Sequence, residues 1–570
     1  MNTSAVPTGI RQHIPILAWL PTYRPDFLRL DVVAGLTAAA VVMPQAMAYA
    51  TIAGLPVQTG LYVALVPMVV YTLLGTSRRL SVSSTSAISI ITGTALLGAV
   101  GSAGSPDDYI VPAITLAFLV GLFLILASVL RLGFLADFIS LPVLTGFKAG
   151  IGVVIFFSQL GKVLGLSIPR GSLLQTLTTI VTNLDQINWP TVALSVGTLA
   201  ILMLLPRYVP RIPAALVAVA FGIALAAVAD VSRLGIELVG NIATGLPALS
   251  VPDPSLLLGL WLPASGIALM SFTESIAAAR AFRKYGEPKP DANQELFALG
   301  MANLVGSFFQ AYPAGGGTSQ TAVNADAGAK TQVAAMVTAG VVALTLLLLA
   351  PLISLMPQAT LGSLVLVAAA GLIKIGEFQD MAQIRRTELI WALLAMLAVI
   401  VLGTLEGILV AVIISIVTLI AQADRPPVYA MGRRPGSTAF RAVDQHPDDE
   451  VFPGLLLTRT EGRLFFGNVS WVIDQLWGLL HQTQARVLVL DCSAIPDIEY
   501  TAVKALEEFA AQLHEAGIAL ELAALNREAR NVVTRAPLGE MLGTARIHPN
   551  LAQAVAAHPF IDERKEQADD

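Results

Sequence analysis

"PAGGGTSQTAVNADAGAK", residues 313–330, decides the fold because it places small polar residues inside an apolar region of the chain. Neither the residues before it, 296–313, nor those after it, 331–373, include a charged side chain. Three glycines and a series of hydroxyl and amide side chains between two such stretches indicate a break in a membrane-embedded helix. Non-helical backbone at that depth is tolerated only where it is buried in protein or lines a watery cavity.

The composition is that of a polytopic membrane protein, so the lipid bilayer is an expected partner. The 570 residues are 55% hydrophobic and 13% charged, with a mean hydropathy of +0.72, whereas an average soluble domain is about one-quarter charged. Residues 32–77 include no charge and exceed the roughly 20 residues that one helix needs to cross a bilayer. Gly54, Pro56 and Gly60 provide a turn inside this run, which therefore predicts two spans.

Several functional classes are excluded by what the chain lacks. It contains one cysteine, Cys492, and six histidines, so neither a disulfide framework nor a structural zinc site is expected. No catalytic triad or nucleotide-binding loop can be identified. We therefore expect no enzymatic activity, no cofactor and no nucleic-acid partner. The first 30 residues also lack the pattern of a cleavable secretory signal.

Fourteen spans are predicted between residues 31 and 424. An even number places both termini on one side, and arginines and lysines in the loops of that side indicate the cytoplasm. We therefore expect a multi-pass protein of the cytoplasmic (inner) membrane with its N- and C-termini inside the cell, and residues 1–30 as a cytoplasmic segment. Residues 168–187 are predicted to form an amphipathic helix at the interface. The predicted spans are 31–54, 58–75, 85–101, 109–130, 141–163, 190–206, 212–230, 260–283, 293–309, 318–330, 331–352, 358–375, 387–403 and 406–423.

The two sets of seven spans show weak internal similarity. Because seven is odd, the second set starts from the opposite face, which predicts an inverted repeat. The third span opens with "SVSSTSAISI" (81–90) and the tenth with "GGTSQTAVNA" (316–325). If both begin their helices near the bilayer midplane, their free N–H groups and positive dipole ends converge where an anion can bind. The alternative is that these small residues only permit close helix packing.

The chain changes in character from about residue 424. Charged and aromatic residues return, and the apolar strand "ARVLVLDCS" (485–493) is followed by an amphipathic helical pattern at 500–517 and a second strand at 518–525. This pattern predicts a small cytoplasmic α/β domain over residues 425–562. The charged residues 563–570 are expected to form a disordered tail.

Several long motifs, in the right order, resemble those of the sulfate permease (SulP) family of anion transporters. Residues 31–82, which begin "DVVAGLTAAAVVMPQAMAYA", resemble its signature region. "FTESIAAARAF" (272–282) and residues 291–332 resemble its later motifs, and "LDCSAIPDIEYTAVKAL" (490–506) resembles that of a STAS domain. The resemblance covers nearly the whole chain, from about residue 31 to residue 558.

The resemblance implies an architecture as well as a function. It implies an all-α polytopic membrane domain over residues 31–424, with 14 spans in a 7+7 inverted repeat and two half-helices, followed by the STAS domain at 425–562. Spans 1–4 and 8–11 would form a core subdomain, and spans 5–7 and 12–14 a gate subdomain. The resemblance also implies a homodimer and elevator-like transport.

The expected anion site combines the half-helices with the first span. Gln45 follows Pro44, which frees a backbone carbonyl one turn earlier, and its amide can donate to an anion, although an interhelical hydrogen bond is the alternative. Tyr49 lies one turn later on the same face, and the resemblance assigns "PQAMAYA" (44–50) to the substrate site. The expected substrate-binding residues are Gln45, Tyr49, Ser84, Thr85, Ser86, Gly317, Thr318, Ser319 and Gln320.

Glu274 is the expected proton-coupling residue. It lies well inside the eighth span, with no other charge between Pro254 and Arg280, and a carboxylate so placed is costly unless it is paired, protonated or functional. We expect it to take up and release a proton, with sodium as the alternative coupling ion. A structural ion pair, for instance with Lys330 or Lys148, is the other interpretation.

Two positions depart from the pattern of the resembling family. Ser83-Ser84 stands where glycine-proline is common, so the start of the third-span half-helix is less well defined. Ser319-Gln320-Thr321 stands where many members have Ser-Arg-Thr. Without that arginine, helix dipoles and neutral donors must hold the anion, which suggests that a co-transported cation supplies the missing charge.

The STAS-like region has one candidate regulatory residue, Thr501. It matches the phosphorylatable hydroxyl of bacterial anti-sigma antagonists, and a phosphate there would meet the positive end of the following helix. The alternative is a plain N-cap threonine. A cytoplasmic regulatory partner could bind this domain.

The sequence therefore predicts a secondary active transporter of small inorganic or carboxylate anions, of the sulfate, bicarbonate or dicarboxylate class, working by proton-coupled symport. An anion exchanger or a channel-like chloride or nitrate conductor is the alternative within the same fold. A nucleobase permease and a membrane-anchored regulatory module are the other classes considered.

Overall fold

The chain divides into two compact units, residues 1–415 and 416–570. The structure is a computed structural model, and it describes residues 14–100, 105–137, 140–166, 168, 173–209, 212–228, 231, 233–240 and 245–558. The predicted tail at 563–570, and the first part of the predicted N-terminal segment, lie outside the described residues.

Fourteen helices among the described residues correspond to the fourteen predicted spans, which confirms the predicted polytopic helical fold. Seven helical segments are long and apolar enough to cross a membrane by length and composition, and four further helices are apolar but shorter. The fourteen are α1 Pro25–Ala53, α2 Val57–Leu74, α3 Ser86–Val100, α4 Ile110–Val129, α5 Leu141–Leu164, α6 Trp189–Tyr208, α7 Ala214–Val228, α8 Leu257–Ala281, α9 Ala292–Ser307, α10 Thr318–Asp326, α11 Val333–Leu348, α12 Gln358–Leu372, α13 Arg386–Leu402 and α14 Thr404–Asp424.

Among the described residues, four short α-helices lie between or before these fourteen. Leu173–Thr182 falls inside the segment predicted to lie at the interface, and Ile16–Trp19 precedes α1. Ala350–Ile353 follows α11. Ile375–Ile384 follows α12 directly and was not predicted as a separate helix, because the apolar pattern of the twelfth span runs up to its first residue.

Two helices, α3 and α10, are half-helices preceded by extended backbone. They have 15 and 9 residues, and each follows a two-residue strand, β1 at Val82–Ser83 and β2 at Gly315–Gly316. The strands pair antiparallel, Val82 with Gly316 and Ser83 with Gly315. Because each strand satisfies backbone groups of the other, the extended segments are tolerated inside the bundle.

The helices of the first unit pack in two groups. In one group α9 contacts α2 and α4, α11 contacts α1 and α2, and α8 contacts α3 and α4. In the other α5 contacts α12 and α13, and α6 contacts α7 and α12. Glycines allow close contact in both groups, since a Cβ at Gly121 of α4 would lie 2.6 Å from the Leu304 nitrogen of α9, and one at Gly146 of α5 would lie 1.9 Å from the Ala392 oxygen of α13.

The second unit contains the predicted α/β domain. Its six strands are β3 Val428–Arg433, β4 Phe440–Ala442, β5 Leu455–Thr460, β6 Val487–Asp491, β7 Ala519–Ala523 and β8 Ile547–His548. They form one sheet in the order β4-β3-β5-β6-β7-β8, in which β5 to β8 are parallel and β3 is antiparallel. The helices are α15 Val469–His481, α16 Tyr500–Glu515, α17 Arg527–Arg535, α18 Pro537–Leu542 and α19 Leu551–Ala556.

Candidate functional site

The starts of the two half-helices are joined by side-chain and backbone hydrogen bonds. The Ser83 hydroxyl donates to the Gln320 side-chain oxygen, and Gln320 Nε2 donates to the Ser84 carbonyl at 3.2 Å. The Gly317 nitrogen donates to the Ser81 carbonyl at 3.2 Å. The Ser81 nitrogen donates in turn to the Thr321 hydroxyl at 3.1 Å. Gln320 therefore ties the segment before α3 to α10, so its amide is partly committed to protein.

Helix α8 holds β2 in place from one side. The Gly316 nitrogen donates to Ser275 Oγ at 2.7 Å, and Ser271 Oγ donates to the Ala314 carbonyl at 2.7 Å. A Cβ on Gly315 would lie 2.5 Å from Ile88 Cδ1, and one on Gly316 would lie 2.9 Å from Ser275 Cα. Glycine at 316 is therefore required by the close approach of β2 to the α8 backbone, whereas a side chain at 315 would have to displace the end of the Ile88 side chain.

The starts of α3 and α10 face one cavity of about 480 Å³. All nine predicted substrate-binding residues line it, together with Glu274. The lining residues are Gln45, Tyr49, Ser84, Thr85, Ser86, Leu141, Leu144, Thr145, Lys148, Glu274, Gly317, Thr318, Ser319, Gln320, Ala368, Gly371, Leu372, Lys374 and Glu377.

The cavity offers several groups that suit an anion. Helix geometry leaves the first N–H groups of α3 and α10 without carbonyl partners inside their own helices. Three of the first-turn groups bond to residues just before the helices: the Ile88 and Ser89 nitrogens donate to Thr85, and the Thr321 nitrogen donates to the Gly317 carbonyl. The positive ends of both helix dipoles are directed to the same space. In addition, the Gln45 side-chain oxygen and the Ser84 hydroxyl are buried and have no hydrogen-bond partner within the described structure. The Ser84 hydroxyl can donate to a bound anion, whereas the Gln45 oxygen needs a donor such as water, unless the amide rotates to present its N–H groups.

Glu274 is buried and paired at the wall of this cavity. It is 7% exposed; its Oε1 lies 3.4 Å from Lys148 Nζ, and its Oε2 accepts a hydrogen bond from Thr85 Oγ1 at 3.1 Å. Of the two lysines considered from sequence, Lys148 is therefore the partner. Lys330 instead donates its backbone nitrogen to Asp31 Oδ1 at 2.6 Å.

The sequence did not predict that one wall of the cavity would be formed by four polar and charged residues. Thr145 and Lys148 of α5, and Lys374 and Glu377 beside α12, line the cavity opposite the half-helices. Thr145 Oγ1 donates to Glu377 Oε2 at 2.7 Å, and Lys374 Nζ donates to Glu377 Oε1 at 3.0 Å. A signal was present, because Lys148 is the single charge between Leu141 and Gly161, as Glu274 is within its own span.

Two buried carboxylates outside the cavity were also missed. Glu295 is fully buried and accepts hydrogen bonds from the Tyr71 hydroxyl at 2.7 Å and from the Thr76 nitrogen at 2.7 Å. Asp31, also fully buried, accepts from the Thr331 hydroxyl at 2.7 Å. Both bind segments that are distant in sequence, so only the three-dimensional structure reveals their partners.

Thr501 is exposed but is not the N-cap that was considered from sequence. Helix α16 begins at Tyr500, and Glu499 is its N-cap residue with extended backbone angles. Thr501 is thus the second helical residue, because the preceding glutamate already provides the non-helical turn. A regulatory role of Thr501 stays a prediction. No cluster of three or more His, Cys, Asp or Glu side chains that could hold a metal is found in the described part of the chain.

Comparisons with known proteins give a consistent result over nearly the full length. The model of the sulfate permease family matches residues 28–396, and the STAS domain model matches residues 446–554. A probable sulfate transporter of Mycobacterium tuberculosis is 36% identical over 539 residues, which is 94% of this chain and 96% of that protein. The chloroplastic sulfate transporter 4.1 of Arabidopsis thaliana is 31% identical over 93% of this chain and 80% of its own length.

Solved structures show the same fold. Murine solute carrier 26 family member A9, an anion transporter in its inward-facing state, aligns with a TM-score of 0.88 at 22% identity over 98% of this chain and 96% of that chain. The transmembrane domain of the cyanobacterial bicarbonate transporter BicA aligns with a TM-score of 0.59 at 25% identity, over 69% of this chain and 98% of that chain. These similar proteins are described as transporters, in agreement with the expectation that the chain is not an enzyme.

Proposed function

This chain belongs to the sulfate permease family of anion transporters, and on that basis we propose that it is a proton-coupled symporter of small anions. The substrate class is sulfate, bicarbonate or a dicarboxylate. The anion binds between the N-termini of α3 and α10, and the transporter works by an elevator mechanism in which core helices move against gate helices.

One observation carries the anion site. Two half-helices from opposite repeats begin beside one another, held by the β1–β2 pair, and both face the 480 Å³ cavity. A helix N-terminus presents free N–H groups and positive potential, and two of them sum at one point. A site of mainly neutral hydrogen-bond donors can bind oxyanions and carboxylates alike.

The proton coupling is supported by the charges around the cavity. The lining residues contribute two lysines, Lys148 and Lys374, and two glutamates, Glu274 and Glu377. With all four ionised these charges cancel, so an incoming anion is uncompensated in a partly buried site. A proton taken up by Glu274 together with the anion offsets one negative charge, all of the charge of bicarbonate and half that of sulfate, which gives a physical reason for joint binding.

The elevator mechanism is supported by how the helices pack. The cavity lies between α1, α3, α8 and α10 on one side and α5 and α12 on the other. These sides belong to the two packing groups of the first unit. The helices named in one group all fall within the proposed core (α1–α4 and α8–α11), and those named in the other fall within the proposed gate (α5–α7 and α12–α14). A site between two such groups changes its exposure when one group slides along the other.

The proposal extends to the setting of the transporter. We place it in the cytoplasmic membrane with both termini inside, since the predicted loops on that side carry most of the arginines and lysines, and we expect a homodimer. The α/β domain is proposed as a regulatory module whose exposed Thr501, in the first turn of α16, could carry a phosphate that binds or repels a cytoplasmic partner.

The decisive experiment is the substitution Glu274→Gln in the full chain, reconstituted into liposomes. With the wild-type protein, labelled sulfate should accumulate when the outside is acidic relative to the inside. We expect Glu274→Gln to abolish this accumulation and to retain exchange of sulfate without a gradient, because the neutral amide imitates the protonated carboxyl.

The control is Glu406→Gln, which neutralises an exposed carboxylate at the start of α14 and should accumulate sulfate like the wild type. If Glu274→Gln protein is folded and still accumulates sulfate with unchanged proton stoichiometry, the coupling role is wrong and the pair with Lys148 is structural. Steady currents without proton dependence would support the channel-like alternative instead.

A further inference from the structure

Lys148 faces the half-helices from the other side of the cavity. It lies on α5, and its Nζ is 3.4 Å from Glu274 Oε1 on α8. The lysine side chain is 22% exposed and the glutamate side chain 9%. The ion pair therefore joins the two packing groups across the cavity in which the anion is proposed to bind.

The other charged and titratable groups around the cavity do not offer a second available cation. Lys374 pairs with Glu377 at 3.0 Å, and Thr145 adds a hydrogen bond to that glutamate. Tyr49 is the remaining titratable residue among those that line the cavity. Position 320, where an arginine would supply a fixed charge, is a glutamine bonded to the Ser84 carbonyl. Of the described lining residues, Lys148 is thus the cation that pairs with Glu274.

We propose that Lys148 is the counter-charge of the transported anion and so determines which anions bind. The inference rests on the proposed symport. When Glu274 takes a proton from solvent onto its carboxylate, Lys148 loses its ion-pair partner and keeps a partly buried positive charge. The other carboxylate of the cavity, Glu377, is already paired with Lys374. The anion that enters between α3 and α10 then replaces the carboxylate as the partner of the ammonium group.

The chemistry of the ammonium group fits this exchange. It is a compact charge with three donors on a flexible stem, so it can turn from a carboxylate on α8 to an oxyanion beside it. Leaving the lysine without a partner is costly, whereas keeping it paired in turn with glutamate and with anion is not. The anion would then contact core and gate helices at once, since Lys148 belongs to α5.

The competing interpretation is that Lys148 only stabilises Glu274. The two can be separated by measuring the half-saturation concentration for labelled sulfate in counterflow, with no ion gradient, for the full-length protein in liposomes. The variants are Glu274→Gln, Lys148→Gln, the double variant and Lys148→Arg. Gel filtration before reconstitution selects folded, monodisperse protein.

If Lys148 binds the anion, adding Lys148→Gln to the Glu274→Gln protein raises the half-saturation concentration by about 10-fold or more. If Lys148 only stabilises Glu274, adding Lys148→Gln to the Glu274→Gln protein should not change the half-saturation concentration, because the carboxylate is already absent. An unchanged value would therefore overturn the proposal. In the background with Glu274 intact, Lys148→Arg should stay within about 3-fold of the wild type, and equal weakening by arginine and glutamine would also contradict it.

The matched control is Lys162→Gln. Lys162 lies on the same helix as Lys148 but lines a different cavity. The substitution should leave the half-saturation concentration within about 2-fold of the wild type. The counterflow assay uses no proton gradient, so Lys148 can be confirmed as the anion's partner even if gradient-driven accumulation, the test of proton coupling, fails. Conversely, proton coupling can hold while the two Lys148 comparisons show no weakening.

Discussion

Gln45 shows how a single residue can indicate a ligand. The sequence predicted that its amide, beside Pro44 in α1, would face an anion or another helix. In the structure its side-chain oxygen is buried without a partner and the residue lines the cavity. A buried unsatisfied polar group costs about 1–3 kcal/mol, and a terminal amide can rotate to present either end to a ligand. The structure shows no interhelical hydrogen bond to this oxygen among the described residues, and anion binding by Gln45 stays a prediction.

Replacing Gln45 with leucine should weaken sulfate binding without unfolding the protein. We expect a rise of roughly 10-fold in the half-saturation concentration, the value of one hydrogen bond to a charged ligand, measured by counterflow. The melting temperature should stay equal or rise, because a buried orphan oxygen is removed. Gln159→Leu is the control. The Gln159 side-chain oxygen is also buried without a described partner, but this residue lines another cavity. Unchanged sulfate affinity in Gln45→Leu would refute this role.

The Arg79–Glu287 pair gives stability a defined pH dependence. Arg79, 3% exposed, donates to both carboxylate oxygens of Glu287, at 2.7 and 2.6 Å, and also to the Ala329 carbonyl at 2.8 Å. Burial alone would raise the pKa of Glu287, but the hydrogen bonds and charge of Arg79 hold it below its ordinary value of 4.5. The stabilisation is therefore complete above about pH 4.5 and is lost as the pH falls further.

We expect Glu287→Gln to lower the melting temperature of the detergent-solubilised protein by at least about 2 °C at pH 7. The deficit relative to the wild type should shrink as the pH is lowered from 5 toward 3, because protonation removes the same charge from the wild type. Thermal shift across this pH series tests it. A constant deficit at all pH values would mean that packing, and not ionisation, makes the difference.

At the scale of elements, the helices were predictable from composition and the pairing of distant segments was not. The spans follow from apolar runs of sufficient length, so even α10, with 9 residues, was recognised by its polar start. Local residues also predicted the extended entries to α3 and α10. The bond between Ser83 and Gln320 joins residues more than 200 positions apart in the sequence. The cavity wall formed by Lys148 and Glu377 likewise brings together α5 and the helix Ile375–Ile384.

Helix α2 can lie against α1 only because Gly60 has no side chain. A Cβ there would be 2.0 Å from the Ala46 carbonyl oxygen and 3.1 Å from Ala50 Cβ. Gly60→Ala should therefore displace the part of α1 that carries Gln45 and Tyr49. We expect a loss of about 1–3 kcal/mol of stability, as for other overpacked sites, and weaker sulfate binding.

The matched control for Gly60→Ala is Gly340→Ala. Gly340 lies inside α11, and a Cβ there would meet no atom within 4 Å. Alanine is the better helix former, so this variant should be as stable as the wild type or more so. Melting temperature and sulfate counterflow of the two variants should then diverge. Equal behaviour would show that α1 and α2 can separate without affecting the site.

At the scale of the whole molecule, two units with separate cores share one chain. The second unit begins at residue 416, within α14, and its sheet and helices enclose their own buried cluster. We expect residues 425–562, expressed alone, to fold with α/β circular dichroism and a single cooperative melting transition. A gradual, non-cooperative transition would show that the domain depends on the preceding helices.

The β1–β2 pair also constrains the order in which the protein can be completed. During synthesis β1 emerges about 230 residues before β2, on the order of tens of seconds at usual rates of translation. Over that interval its backbone groups lack their eventual partners, and such groups are poorly tolerated by hydrocarbon. Until the second repeat is synthesised and β2 pairs with β1, the unpaired backbone groups of β1 therefore need water or other protein as hydrogen-bond partners, for instance within the membrane-insertion machinery.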